Sequence, residues 1–147
     1  MLRAHYLHPL LEPKSLAIIG ASEKPGSIGH VILQNILASG FKGQLWAVNP
    51  KHSEILGQAC VPSIEHIGSR VDLAIVTTAP RTIPLIIEQC SKAGVHHLVI
   101  VSNPASGGGS AMHERRIRDA GRNFGVRILG PKSLGIIRPR LALNATF

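Results

Sequence analysis

The sequence predicts an α/β domain with a Rossmann-like, doubly wound parallel sheet, and three observations carry that prediction. Short, nearly continuous runs of Ile, Leu, Val and Ala recur along the chain, as in strands buried on both faces. Segments of helical periodicity lie between them, which is the alternation of repeated βα units. The chain has 147 residues, enough for one such domain and not two. Apolar residues make up 44% and aromatic residues only 3%, so aliphatic side chains must fill the core. Glycine and proline number 15 and 10, below the share that marks a low-complexity chain. Disorder, collagen and coiled coil are thereby excluded.

Residues 1–10 read as an N-terminal extension, and the first strand follows as Ser15-Leu16-Ala17-Ile18-Ile19. Ile28, Val31, Ile32 and Ile36 recur at helical spacing, with Gly40 where a helix would stop. Gln44-Leu45-Trp46-Ala47-Val48 is the next strand. Residues 52–67 look irregular, with a short helical turn ending at Gly57. A third apolar run spans 72–77, after which Ile83, Ile86, Ile87 and Cys90 mark a second helix, stopped by Gly94. The runs at 97–101 and 126–129 are strands on either side of a helix marked by Ile117, Ala120, Gly121 and Phe124. Right-handed crossovers then give the strand order 3-2-1-4-5. The tail, 130–147, reads as loop with a short strand near 134–137.

The net charge of +8 is uneven: residues 1–112 carry +2 and residues 113–147 carry +6. A basic patch attracts nucleic acid, phosphorylated ligands or acidic protein surfaces. Aromatic residues interleaved for base stacking are missing there, which makes nucleic acid a poor partner. Cys60 and Cys90 stand among apolar neighbours and read as free thiols, without zinc-ligand spacing. No secretory pattern is visible, and no run approaches the ~20 apolar residues that cross a bilayer. The expectation is a cytoplasmic protein with no membrane association. The histidines are scattered, and no catalytic set is recognisable from their order.

In doubly wound folds ligands bind beyond the carboxyl ends of the strands. The first such loop, from Gly20 to Gly29, leaves a strand and opens a helix, an arrangement that offers backbone amides and the helix dipole to an anion. Glycines permit close approach, and Ser22, Lys24 and Ser27 add donors. The dinucleotide pattern wants glycine where Ser22 stands, and a Walker A loop wants Gly-Lys before Ser or Thr. The loop thus suits a phosphate ligand of neither common kind, unless it is only a tight turn. After the second strand comes Lys51, where an NAD site wants an acid for the ribose. It is either a phosphate partner or a solvated surface charge. Thr77, Thr78 and Ala79 precede Pro80 and equally suit capping of a helix. The glycine-rich loop after Ser102 is either mobile or laid over a ligand.

Five motifs occur in order: Gly-Ala-Ser-x-x-Pro-Gly-Ser-x-Gly (20–29), Val-Asn-Pro-Lys (48–51), Asp-Leu-Ala-Ile-Val-Thr-Thr-x-Pro (72–80), Leu-Gly-Pro-x-Ser-Leu-Gly (129–135) and Leu-Asn-Ala-Thr-Phe (143–147). Together they closely resemble the CoA-binding domain of nucleoside-diphosphate-forming acyl-CoA synthetases, the group of the succinyl-CoA synthetase alpha subunit. The same domain opens bacterial protein lysine acetyltransferases of the GNAT type. The resemblance implies CoA or acyl-CoA as ligand, with Gly20, Ser22, Lys24, Gly26, Ser27, Ile28 and Gly29 around its phosphates. It adds Asn49 and Lys51, with Lys51 paired to a phosphate. It sets Thr77, Thr78, Ala79, Val101, Ser102 and Asn103 along the rest of the groove, Ser102 and Asn103 nearest the thiol. Lys132 departs from the family's Asn. Ser102-Asn103-Pro104-Ala105 departs from the synthetases' Ser-Ala-Gly-Phe, which, with Ser133 in place of Cys, leans toward the acetyltransferase-type parent. In both families the chain continues, so the resemblance implies a single CoA-binding module, 1–147, of a larger enzyme. Its tail leads toward a further domain or subunit, and no catalytic residue lies within it. Two other readings stand beside this one: an NAD(P)-binding oxidoreductase domain, and an interaction module without a ligand.

Overall fold

A computed structural model describes residues 5–102 and 110–147. Asn103 and the glycine-rich loop after it lie outside the described residues. Strand β1 (Ser15–Ile19) is buried along its whole length. Its side chains alternate between two cores, as the two-residue period of a strand requires. Leu16 and Ile18 join Ile32, Leu33 and Ile36 of helix α2 (Ile28–Ser39), α1 being one turn at His8–Leu11 in the N-terminal extension. Ala17 and Ile19 join Ile83, Ile86 and Ile87 of α3 (Ile83–Lys92), and Ile117 and Ala120 of α4 (Ser110–Asn123). Helices therefore cover both faces of the sheet. The glycines expected to end them do so: Gly40, Gly94 and Gly125 have φ of 80°, 77° and 65°.

The remaining strands are β2 (Gln44–Val48), β3 (Glu54–Ile55), β4 (Gln58–Val61), β5 (Leu73–Val76), β6 (His97–Ile100) and β7 (Arg127–Leu129). They form a seven-stranded sheet ordered β3-β4-β2-β1-β5-β6-β7, parallel except for the β3–β4 pair at one edge. Counted among the parallel strands, the expected order 3-2-1-4-5 is present, with β7 added as a sixth. The third place is filled by Gln58–Val61, however, and the run at 72–77 takes the fourth place beside β1. Residues 54–61 thus make a hairpin and not a helical turn. Its corner is Leu56-Gly57, both with positive φ (49° and 75°), the conformation of a two-residue hairpin turn.

At the amino-terminal ends of the strands Asp72 acts as a clamp. Its carboxylate accepts from the Lys14 amide at 2.9 Å and from Arg70 Nε at 3.0 Å, while its own amide donates to Ser15 Oγ. This is the edge opposite the loops of interest.

The tail is more ordered than the sequence suggests. Strand β8 (Gly135–Arg138) pairs antiparallel with β9 (Leu143–Thr146). Leu143 and Ala145 are buried in the same core as α2. Asn35 Nδ2 donates to the Thr146 carbonyl at 2.9 Å, and Ser39 Oγ accepts from the Asn144 amide at 3.3 Å. The last strand is part of the fold's own core.

Candidate functional site

Because β1, β2, β5 and β6 are parallel neighbours, their carboxyl ends bring the loops after Ile19, Val48, Val76 and Ile100 to one side of the sheet. The loop at Gly20 is fixed first by its backbone. Gly20 has φ of 94° and donates its amide to the Val48 carbonyl at 3.0 Å. A side chain at Gly29 would overlap the Gly20 carbonyl oxygen, and one at Gly20 would meet Thr77 Oγ1 at 2.6 Å. These two glycines therefore serve close backbone approach, and that approach sets the width of the loop.

Ser27 caps α2. Its hydroxyl accepts from the His30 amide at 3.3 Å and donates to the Lys24 carbonyl at 2.8 Å. A helix leaves its first amides without intrahelical partners, so those of Ile28 and Gly29 remain available at the loop. No acid lies in the first turn of α2, and the positive end of the helix dipole is left for an outside anion. Ser22 Oγ accepts from the Lys24 amide at 3.0 Å, which turns the loop at its tip, where Lys24 and Gly26 are exposed.

Asn49 joins the second loop to the first. Its Nδ2 donates to the Ala21 carbonyl at 2.8 Å, and its Oδ1 accepts from the Lys51 amide at 2.9 Å. Lys51 is exposed beside that turn. Thr77 joins the third: its hydroxyl lies 3.1 Å from the Ile19 carbonyl oxygen and 3.0 Å from that of Gly20. Thr78 and Ala79 stand at the start of the turn leading to α3, where Thr82 Oγ1 donates to the Ala79 carbonyl at 2.8 Å and lies 3.0 Å from Thr78 Oγ1. Val101 donates its amide to the Val76 carbonyl at 2.9 Å. Ser102, 5% exposed, has a hydroxyl without a hydrogen-bond partner among the described residues. A buried polar group of this kind calls for a partner.

The structure thus brings Gly20–Gly29, Asn49, Thr77 and, by way of β5 and β6, Ser102 together, while Lys24 and Lys51 stand exposed at the rim. Three contacts were not foreseen. Thr77 fastens the Gly20 carbonyl, His30 Nδ1 lies 3.1 Å from the Ser22 carbonyl, and Glu23 accepts from the Leu56 amide at 2.7 Å. The separations of 57 and 33 residues for Thr77 and Glu23 leave no local sequence signal.

Lys132 lies apart from these loops in its contacts. It adopts φ of 64°, a region that Asn tolerates better than Lys, and its ammonium pairs with Glu114 at 2.7 Å. The hydrogen bond and charge of Lys132 hold the Glu114 carboxyl below the usual carboxylate range.

Comparison with known proteins follows the same lines. The profile of a family described as CoA binding domain matches residues 14–139. An ADP-forming acetate–CoA ligase of Methanocaldococcus jannaschii is 36% identical over 145 residues, covering 99% of this chain and 20% of that protein. The alpha subunit of ADP-forming acetate–CoA ligase I from Pyrococcus furiosus is 35% identical over 147 residues, covering 96% of this chain and 32% of its own length. The dinucleotide-forming acetyl-coenzyme A synthetase 1 of Ca. Korarchaeum cryptofilum, solved with phosphate and ADP, superposes with a TM-score of 0.87 at 34% identity. It covers 95% of this chain and 30% of that one. The chain therefore spans about a fifth to a third of the length of these relatives. All three are CoA ligases or synthetases, and the nicotinamide alternative finds no support among them.

Proposed function

The chain belongs to the CoA binding domain family, and from that premise we propose that it binds CoA or an acyl-CoA across the carboxyl ends of β1, β2, β5 and β6. The observation that carries the proposal is the start of α2. There, a loop narrowed by Gly20 and Gly29 opens a helix whose first turn holds no acid and whose first amides are free, and Lys24 and Lys51 stand exposed in the first and second loops. Phosphates lie against the backbone from Ser22 to Gly29, and Lys51 pairs with one of them. Thr78, Ala79 and Val101 line the groove beyond, and the buried Ser102 hydroxyl bonds a polar atom toward the thiol end. Asn103, outside the described residues, belongs to the same end by resemblance. CoA supplies the thiol that carries an acyl group as a thioester; the chain's own residues bind and orient it.

The parent activity proposed is that of an ADP-forming acid–CoA ligase, in which this domain works with further domains or a subunit. The relatives carry ligase names, and the proposal follows them in preference to the acetyltransferase lean. No helix among the described residues is long and apolar enough to cross a membrane, and the proposed setting is the cytoplasm.

Calorimetry and thermal shift with CoA, acetyl-CoA, NAD, NADP and ATP test the reading. A ligand at a hundredfold excess over its Kd stabilises by about 2.7 kcal/mol, or roughly 5–10 °C for a domain of this size. CoA and acetyl-CoA are expected to give that shift. Stabilisation by NADP and not by CoA overturns the proposal, and no shift with any of them favours a ligand-free interaction module.

A further inference from the structure

A second surface lies along the free edge of the sheet. β7 pairs with β6 on one side only, and beside its open edge runs a groove of about 620 Å³, walled by α4 on one flank and the turn at Gly130–Lys132 on the other. Gly121 lets the helix sit close to the strand, since a side chain there would meet Ile128 Cδ1 at 2.8 Å. Ile117, Val126 and Ile128 form an apolar floor. The rim carries Arg118, Arg122, Arg127 and Lys132 against a single acid, Glu114, which Lys132 already neutralises. Arg118 and Arg122 make no ion pair among the described residues, and Arg127 lies over the Tyr6 ring at 4.4 Å.

The backbone says what the groove is shaped to accept. The Arg127 amide donates to the His96 carbonyl, and in a parallel ladder alternate residues bond to opposite sides. The amide and carbonyl of Ile128 therefore face away from β6, toward the groove. An open strand edge is a template for another strand, and main-chain pairing supplies affinity while flanking side chains select the sequence. The same surface of a second copy carries the same positive charge, so self-pairing is opposed.

We propose that this edge is a docking site for an extended, acidic polypeptide segment of a partner domain or subunit, which adds a strand beside β7 with its carboxylates on Arg118 and Arg122. The proposal is independent of the CoA reading, because none of the groove residues belongs to the loops assigned to CoA.

Fluorescence anisotropy on the whole chain tests it with labelled peptides of equal length. One alternates Val and Glu, one alternates Val and Lys, and one is the Val/Glu peptide with a central proline. Duplex DNA serves as a plain polyanion. At physiological ionic strength the Val/Glu peptide is expected to bind at least about tenfold more tightly than the other three, because charge and strand pairing are both needed. It is expected to slow hydrogen exchange of the Ile128 amide. The double substitution Arg118→Glu, Arg122→Glu, on exposed helix positions, is expected to weaken that peptide at least about tenfold. Its melting temperature and its response to CoA should stay unchanged. Failure of the Val/Glu peptide to bind, equal binding of the proline peptide or of DNA, or no effect of the charge reversal in a folded variant each overturns the proposal.

Discussion

Lys51 stands on a turn that Asn49 closes by accepting the Lys51 amide at 2.9 Å, while the same Asn49 holds the Ala21 carbonyl. The lysine is thus carried on a short, braced loop next to the α2 start. Lys51→Ala is expected to weaken CoA binding by about 1–3 kcal/mol, the scale of one charge-assisted hydrogen bond, without lowering the melting temperature of the free protein. Calorimetry on both proteins reads the first quantity and a thermal scan the second; unchanged affinity would reduce Lys51 to a surface charge. Cys90 provides a test of a different kind. Burial among apolar side chains pushes its thiol up to about 12, whereas an unfolded cysteine ionises near ~8.5. The folded state holds the thiol neutral, so its contribution is complete below the unfolded value and is lost as pH rises toward the folded one. Stability is therefore expected to fall progressively above about pH 8.5, and Cys90→Ala to flatten that limb in denaturant titrations. A fall of equal steepness in the variant would assign the alkaline loss to other groups.

The hairpin β8–β9 is the element whose role is easiest to measure. Leu143 is fully buried in the core shared with α2, and Leu143→Ala is expected to cost about 2–5 kcal/mol in chemical denaturation. A cost below about 1 kcal/mol would mean that the hairpin is only laid on the surface. The sequence showed one strand in this region and not its partner, because Leu-Asn-Ala-Thr is short and half polar. The same shortness hid β3 and β4, where Gly57 reads equally as a helix stop or a hairpin corner. The strands and helices that were legible carry long apolar patterns: Ser15–Ile19 buried throughout, and α3 with Ile83, Ile86, Ile87 and Cys90 on one face. In the site, the loop glycines and Lys51 were visible because their chemistry is local. The fastening of Gly20 by Thr77 and the burial of the Ser102 hydroxyl depend on distances that only the folded chain defines.

At the scale of the whole molecule, the loops assemble a place to hold a ligand, but no nucleophile with an adjacent base was recognised in the sequence. The isolated chain is expected to show no ADP- or GDP-dependent release of CoA from acetyl-CoA or succinyl-CoA, and no acetyl transfer to a protein lysine. Turnover that follows the protein through purification would reveal a reactive centre within it. The strand order has one more effect, on the time course of synthesis. β1 is the middle strand of seven and the first to be made, so the sheet widens to both sides as the chain emerges. β9 arrives last, yet it covers part of the apolar flank of α2. A nascent chain halted near residue 139 leaves that flank wet and should be held by chaperones, whereas one that has emerged beyond residue 146 covers it with β9.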